Sequence, residues 1–264
     1  MAERPKSPLA GKRVVITRPE TQSEALAVAL QSAGADVILL PLIRIEPPHD
    51  LGPLDTALRN LGSYDCLIFT SQNSVAAVSD RLSFLNLTTR PHRIAAVGKS
   101  TADAARAAGF AVAHNGHGTA ADLVRELANE LSGKRILLPR SDRAAASLVT
   151  QLQKTGAEVA EVIAYRTVAV DYSDSNALTD RADSILFFSP SAVHAFSVLA
   201  KSGVFSSIQA YGAVGAIGPV TRTALLETAL PCDFEAQHPS VEEIVSALTA
   251  HFENRIAAPG VHSR

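Results

Sequence analysis

The residues best suited to chemistry sit in four short turns of glycine, serine, threonine and asparagine. Gly98-Lys99-Ser100-Thr101 follows the apolar run Ile94-Ala95-Ala96-Val97 and opens an alanine-rich helical segment. A strand, a tight turn and a helix start leave backbone N–H groups free to meet an anion. Gly-Lys-Ser also ends a nucleotide-binding P-loop, but that loop needs glycine at position 93, where Arg93 stands. A twin turn, Gly218-Pro219-Val220-Thr221, keeps the glycine and threonine without the lysine. Nucleotide hydrolysis is therefore not expected. A glycine turn with a threonine at a helix start, where the hydroxyl can cap and the amides can meet a carboxylate, is the shared design.

The other two turns are Thr70-Ser71-Gln72-Asn73-Ser74 and Ser189-Pro190-Ser191, each after an apolar strand. In an open parallel sheet such turns lie at the carboxyl ends of strands, where ligands bind. Arg18, in Thr17-Arg18-Pro19, and Arg140, in Pro139-Arg140-Ser141, follow equivalent strands. Each can pair bidentately with a carboxylate. Plain helix capping, and arginines that only cover a sheet edge, are the alternatives. Tyr165 can donate or accept a proton across a cleft, or simply fill an interdomain surface. His114 and His117 share a glycine-bearing loop, but no cysteine or carboxylate cluster completes a metal site with them. HExxH, GxSxG and GxGxxG are all missing.

The elements that must hold these turns are those of an α/β protein. Hydrophobic residues make up 47% of the chain and charged residues 19%, the balance of a well-packed globular protein. With 24 basic and 26 acidic side chains the net charge is −2, so no basic field calls for nucleic acid. Cys66 and Cys232 stand far apart, suited to buried thiols rather than a disulfide or a metal. No apolar run reaches the roughly 20 residues that span a bilayer, and the charged start carries no signal-peptide core, so a cytoplasmic protein is expected.

Arg13-Val-Val-Ile-Thr17, a helix with Leu26 and Leu30 on one face, and Asp36-Val-Ile-Leu-Leu-Pro41 make a βαβ unit and imply a parallel sheet. That unit returns with an offset of 122: Gly11-Lys-Arg-Val matches Gly133-Lys-Arg-Ile, and Leu26, Leu30, Gly34, Ala35 and Val37 match Leu148, Leu152, Gly156, Ala157 and Val159. Asp65–Ser71 matches Asp183–Ser189, Gly98-x-x-Thr101 matches Gly218-x-x-Thr221, and His117–Val124 matches His238–Val245. Four blocks in one order indicate a duplicated unit of roughly 120 residues, far longer than a solenoid repeat. The expected fold is two similar flavodoxin-like parallel-sheet domains from this internal duplication. A two-stranded extended connector would join them, with the active site in the interdomain cleft. The connector is expected at 43–47 and 164–170, with loose tails at 1–9 and 254–264.

Val15-Ile-Thr17-Arg18-Pro19, Phe69-Thr-Ser71-x-Asn73-Ser-Val75, Val97-Gly98-x-x-Thr101-Ala, Tyr165-Arg-Thr and Ile217-Gly-Pro-x-Thr221 together resemble uroporphyrinogen-III synthase. The resemblance runs from about Gly11 to Leu248, in the family's order. It implies one domain from both chain ends (10–42 plus 171–253) and one from the middle (48–163). It also implies conversion of linear hydroxymethylbilane to uroporphyrinogen III, with loss of water and inversion of ring D. No metal or cofactor is implied. The family's tyrosine falls on Tyr165, the catalytic expectation, and its hydroxyl residues fall on Ser71, Thr101 and Thr221. Joined with the turns read above, the substrate-binding expectation is Arg18, Ser71, Asn73, Ser74, Gly98, Lys99, Thr101, Arg140, Ser189, Ser191, Gly218 and Thr221. A monomer is expected, with a transient contact to hydroxymethylbilane synthase. A two-domain protein that closes on an anionic ligand without chemistry is the alternative.

Overall fold

The structure, a computed structural model, describes residues 7–88, 93–116, 119–144, 146–172, 182–201, 212–237 and 240–257. The chain opens with β1 (Arg13–Ile16), α1 (Glu24–Ser32), β2 (Asp36–Leu39) and β3 (Ile43–Glu46). Its middle holds α2 (Gly52–Arg59), β4 (Cys66–Phe69), α3 (Gln72–Phe84), β5 (Ile94–Val97) and α4 (Lys99–Ala107). There follow β6 (Val112–Gly116), α5 (Ala120–Leu131), β7 (Arg135–Ser141), α6 (Ser147–Lys154) and β8 (Glu158–Ala169). The last third holds β9 (Ser184–Phe187), α7 (Pro190–Lys201), β10 (Val214–Ala216), α8 (Pro219–Glu227), β11 (Phe234–Glu235) and α9 (Val241–Ala257).

These elements form two compact units, Met1–Arg44 with Val168–Arg264 and Ile45–Thr167. The first unit carries the sheet β2-β1-β9-β10-β11, with parallel pairing throughout. The second carries β3-β8-β7-β4-β5-β6, with parallel pairing from β8 through β6. Under the sequence repeat, β7 and β8 correspond to β1 and β2, and β4, β5 and β6 to β9, β10 and β11. The two sheets thus have the same order, the one expected for a flavodoxin-like fold. Each unit combines part of one sequence repeat with part of the other. One equivalent pair shows the exchange clearly. Asp183 accepts from the Arg13 N–H at 2.9 Å, and Asp65 accepts from the Arg135 N–H at 2.9 Å.

Strand side chains alternate between faces, and helices cover both. Val14 and Ile16 pack with Leu26 and Leu30 of α1 and Ile244 and Leu248 of α9. Val15 points the other way, to Val193 and Phe196 of α7 and Leu225 of α8. In the second unit, Leu67 and Phe69 meet Val75 and Val78 of α3, while Cys66 and Ile68 meet Leu123 and Leu127 of α5. Each fully buried leucine or phenylalanine contributes about 1.5–3 kcal/mol by leaving water.

Two boundaries differ from expectation. Leu9, placed in a loose tail, is fully buried with Val14 and Leu26, because a turn closed by the Ala10 N–H on the Ser7 carbonyl at 2.9 Å folds it inward. The helix α9 continues to Ala257, past the expected end at 253. The segment 164–170 is no separate strand either: β8 runs unbroken from Glu158 to Ala169. Its counterpart is split into β2 and β3 around Pro41, which has no N–H to donate. The repeat puts Ile163 at the position of Pro41, and there the strand continues. The strands β3 and β8 are neighbours, and both cross the boundary between the units. Arg166 pairs with Glu46 at 2.6 Å within this strand pair. His117 and His238, which head the fourth repeat block, lie outside the described residues.

Candidate functional site

The best-formed polar cluster lies in the second unit, at the carboxyl ends of β4, β7 and β8. Ser71 is the N-cap of α3, in extended conformation, and its Oγ accepts from the Ser74 N–H at 3.1 Å. Serine is favoured there because its oxygen satisfies an amide with no helical partner. The Ser74 hydroxyl, fully buried, donates back to the Ser71 carbonyl at 2.7 Å. On its other side Ser71 Oγ meets the Tyr165 hydroxyl at 3.1 Å. Asn73 and Ser141 are further polar neighbours that act on the phenol.

Tyr165 reaches this cluster because of an irregularity in β8. The register with β7 shifts after Arg140, so that Ser141 stands opposite Tyr165 rather than its predecessor. Beyond the shift, Asp142 accepts from the Thr167 N–H at 3.0 Å, and Ser141 Oγ meets Thr167 Oγ1 at 3.1 Å. Only 8% of Tyr165 is exposed. Burial pushes the phenol above its ordinary range, the polar neighbours Ser71, Asn73 and Ser141 draw it down, and the Asp142 carboxylate adds an upward push. Burial is the largest of these causes, so the phenol holds its proton at neutral pH. Ser141, Asp142 and Thr167 were not among the expected site residues. The polar triplet Ser141-Asp142-Arg143 at the end of β7 was the available signal, but the register shift that turns it toward Tyr165 is tertiary.

The two glycine turns differ in backbone as well as in sequence. Gly98 has φ +76°, a conformation that side chains disfavour, whereas Gly218 at φ 161° is extended. Each is the N-cap residue of its helix, and neither helix has a side-chain cap. The expected capping by threonine is therefore corrected. Thr101 and Thr221 lie inside the first turns of α4 and α8, 4% and 3% exposed, with their side chains in the buried faces. Space is open where a Cβ would stand on Gly98 or Gly218. Lys99 is 86% exposed at its side chain and pairs with Asp103 at 2.6 Å. In the first unit, Ser189 Oγ accepts from the Ala192 N–H at 3.2 Å, repeating the Ser71 geometry, and Ser191 sits half-buried in the first turn of α7.

The two arginines also part company. Arg140, 4% exposed, is held by Glu161 at 3.1 Å and by the Ala144 carbonyl, so its charge is engaged inside the unit. Arg18 stacks on the Phe188 ring at 4.8 Å and has no acidic partner among the described residues. Of the two histidines of the sequence reading, only His114 lies among the described residues. His114 meets Glu126 at 2.8 Å, and no group of three or more His, Cys, Asp or Glu among the described residues is placed to hold a metal.

Comparison with known proteins identifies the family of the chain. The family described as uroporphyrinogen-III synthase HemD matches residues 24–246. Uroporphyrinogen-III synthase of Synechococcus elongatus is 34% identical over 259 residues, covering 94% of this chain and 97% of that protein. A putative uroporphyrinogen-III synthase of Methanothermobacter thermautotrophicus is 26% identical, covering 89% and 96%. Among solved structures, a mutant uroporphyrinogen III synthase from the extremely thermophilic bacterium Thermus thermophilus superposes with a TM-score of 0.62 at 18% identity, over 92% of this chain and all of that one. The Helicobacter pylori enzyme gives 0.59 at 21% identity, over 89% and 97%. Those two likenesses speak for the fold, while the family match and the cyanobacterial relative cover nearly the whole chain. This chain belongs to the uroporphyrinogen-III synthase family.

Proposed function

We infer that Tyr165 is the proton donor of a uroporphyrinogen-III synthase, a lyase of porphyrin biosynthesis that acts on hydroxymethylbilane. The observation that carries this reading is a buried phenol held at 3.1 Å from a helix-capping serine at the carboxyl ends of parallel strands. On this reading the Tyr165 O–H gives its proton to the substrate's hydroxyl as the carbon–oxygen bond breaks, and water leaves. The azafulvene cation then attacks ring D and passes through a spiro intermediate to the inverted macrocycle. The proton lost as the ring regains aromaticity returns to the phenolate, so the enzyme ends as it began. Ser71, Asn73 and Ser141 steady the phenolate between these steps, since hydrogen bonds to the charged form lower its cost.

The substrate carboxylates are assigned to the amide-rich turns at Ser71, Gly98, Ser189 and Gly218. The open space over Gly98 and Gly218 supports close approach of a ligand to the backbone. Conformational control carries most of the work, because the enzyme must fold the chain so that inversion outruns simple closure. Incubating purified protein with hydroxymethylbilane, oxidising the product and separating the isomers tests the reading. Isomer III is expected. Isomer I alone, as in buffer, would leave a protein that binds a polyanion without catalysis.

A further inference from the structure

The arginines at equivalent repeat positions are not equivalent, and two substitutions separate them. In the second unit Arg140 is neutralised by Glu161, which stands opposite Leu138 in the β7–β8 register. The repeat maps Leu138 to Ile16 and Glu161 to Leu39, and Ile16 stands opposite Leu39 in the β1–β2 register. The ladder is the same, but the acid is missing. Leu39 is 39% exposed where its counterpart clamps an arginine.

A second difference lies on the neighbouring strand. The repeat maps Phe188 to Thr70, so the ring that seats Arg18 has no counterpart beside Arg140. Stacking orients the planar guanidinium and leaves its edge free to donate. Arg18 Nε is buried and makes no hydrogen bond among the described residues, and desolvation holds the pKa of the group below its ordinary value. Arg140 Nε and Nη1 are also buried without a hydrogen bond, but there Glu161 answers the charge at 3.1 Å, and no such acid among the described residues faces Arg18. A buried charged donor with no acceptor is costly unless a ligand supplies one.

We propose that Arg18, seated on Phe188, binds a carboxylate of the substrate through its guanidinium edge, and that Arg140 has become a structural residue. This rests on the uroporphyrinogen-III synthase reading, because that substrate is the polycarboxylate. In this assignment Leu39 acts by default, keeping an internal acid away from Arg18.

Steady-state kinetics with hydroxymethylbilane on three variants test the assignment. Arg18→Gln is expected to raise KM by about 10- to 100-fold, the worth of a charge-assisted pair, with isomer III still the product. Arg18→Lys, which keeps the charge but not the fork, should recover only part of this loss. Leu39→Glu restores the acid that holds the other arginine, so KM should rise although Arg18 itself is untouched. Circular dichroism and thermal melting of each variant separate a binding defect from a folding one. If wild type yields isomer III while KM stays within about twofold in both Arg18→Gln and Leu39→Glu, a precision finer than the tenfold steps at issue, the assignment is wrong and the functional reading stands. If wild type yields isomer I alone, both fall together.

Discussion

At the scale of single residues, the surroundings of Tyr165, the proposed proton donor, set what it can do. Replacing it with phenylalanine keeps the ring in the core with Phe69 and Leu137 and removes only the hydroxyl. Turnover is expected to fall by about 10- to 100-fold, at the low end of general-acid effects because the substrate eliminates readily. The fold should lose only about 1 kcal/mol, since Ser71 keeps its bond from the Ser74 N–H. Stopped assays and a urea melt check the two halves, and unchanged turnover would make Tyr165 a packing residue. The pH dependence follows from the same burial. The folded pKa is raised above the ordinary value of 10.0, so the neutral phenol persists through neutral pH. Its contribution to activity and stability is present below that ordinary value and is lost as pH rises through the raised one. A fall in kcat assigned to this group should therefore begin only above about pH 10 and vanish in Tyr165→Phe. The tyrosine was legible in the sequence as a polar aromatic in an extended segment. Its partners Ser141 and Asp142 were not, because a register shift after Arg140 decides which side chains meet it.

At the scale of elements, the two glycine turns show how one motif can hold two backbones. At Gly98 an added Cβ meets nothing within 4 Å, yet φ +76° makes any side chain unfavourable. Gly98→Ala is expected to cost about 1–2 kcal/mol from conformation alone. Gly218→Ala has extended φ and open space, so stability should stay within about 0.5 kcal/mol of wild type. Thermal melts of the two variants would read the contrast directly, and equal losses would contradict it. The Gly-x-x-Thr spacing was plain in the sequence. That threonine would be turned into the helix's buried face rather than capping it was not, because capping depends on where the helix begins. Glycine itself takes the N-cap position in both turns.

At the scale of the molecule, the sequence repeat is a statement about packing. Leu30 of α1 and Leu152 of α6 are repeat equivalents, and both are fully buried, each in the core of a different unit. Truncating either to alanine should cost about 2–5 kcal/mol, and the two costs should be of similar size. Urea unfolding monitored by far-UV circular dichroism measures both. A loss below about 1 kcal/mol at one site only would show that the paired positions no longer do the same work. No helix among the described residues is long and apolar enough to cross a membrane.

The sequence by itself determined the α/β class, the repeat near 120 residues, the strand-end turns and the family they resemble. These rest on local patterns: alternating apolar runs, glycine and proline punctuation, and spacing that holds over four blocks. Tertiary structure alone decided which groups are satisfied from within. Arg18 and Arg140 look alike as Thr-Arg-Pro and Pro-Arg-Ser. Only the strand ladders show that Glu161 answers one of them and that Leu39 stands where an acid would answer the other. Whether a charge is free for a ligand depends on neighbours more than 20 positions away along the chain, brought alongside by hydrogen-bond register, and no local pattern encodes that register.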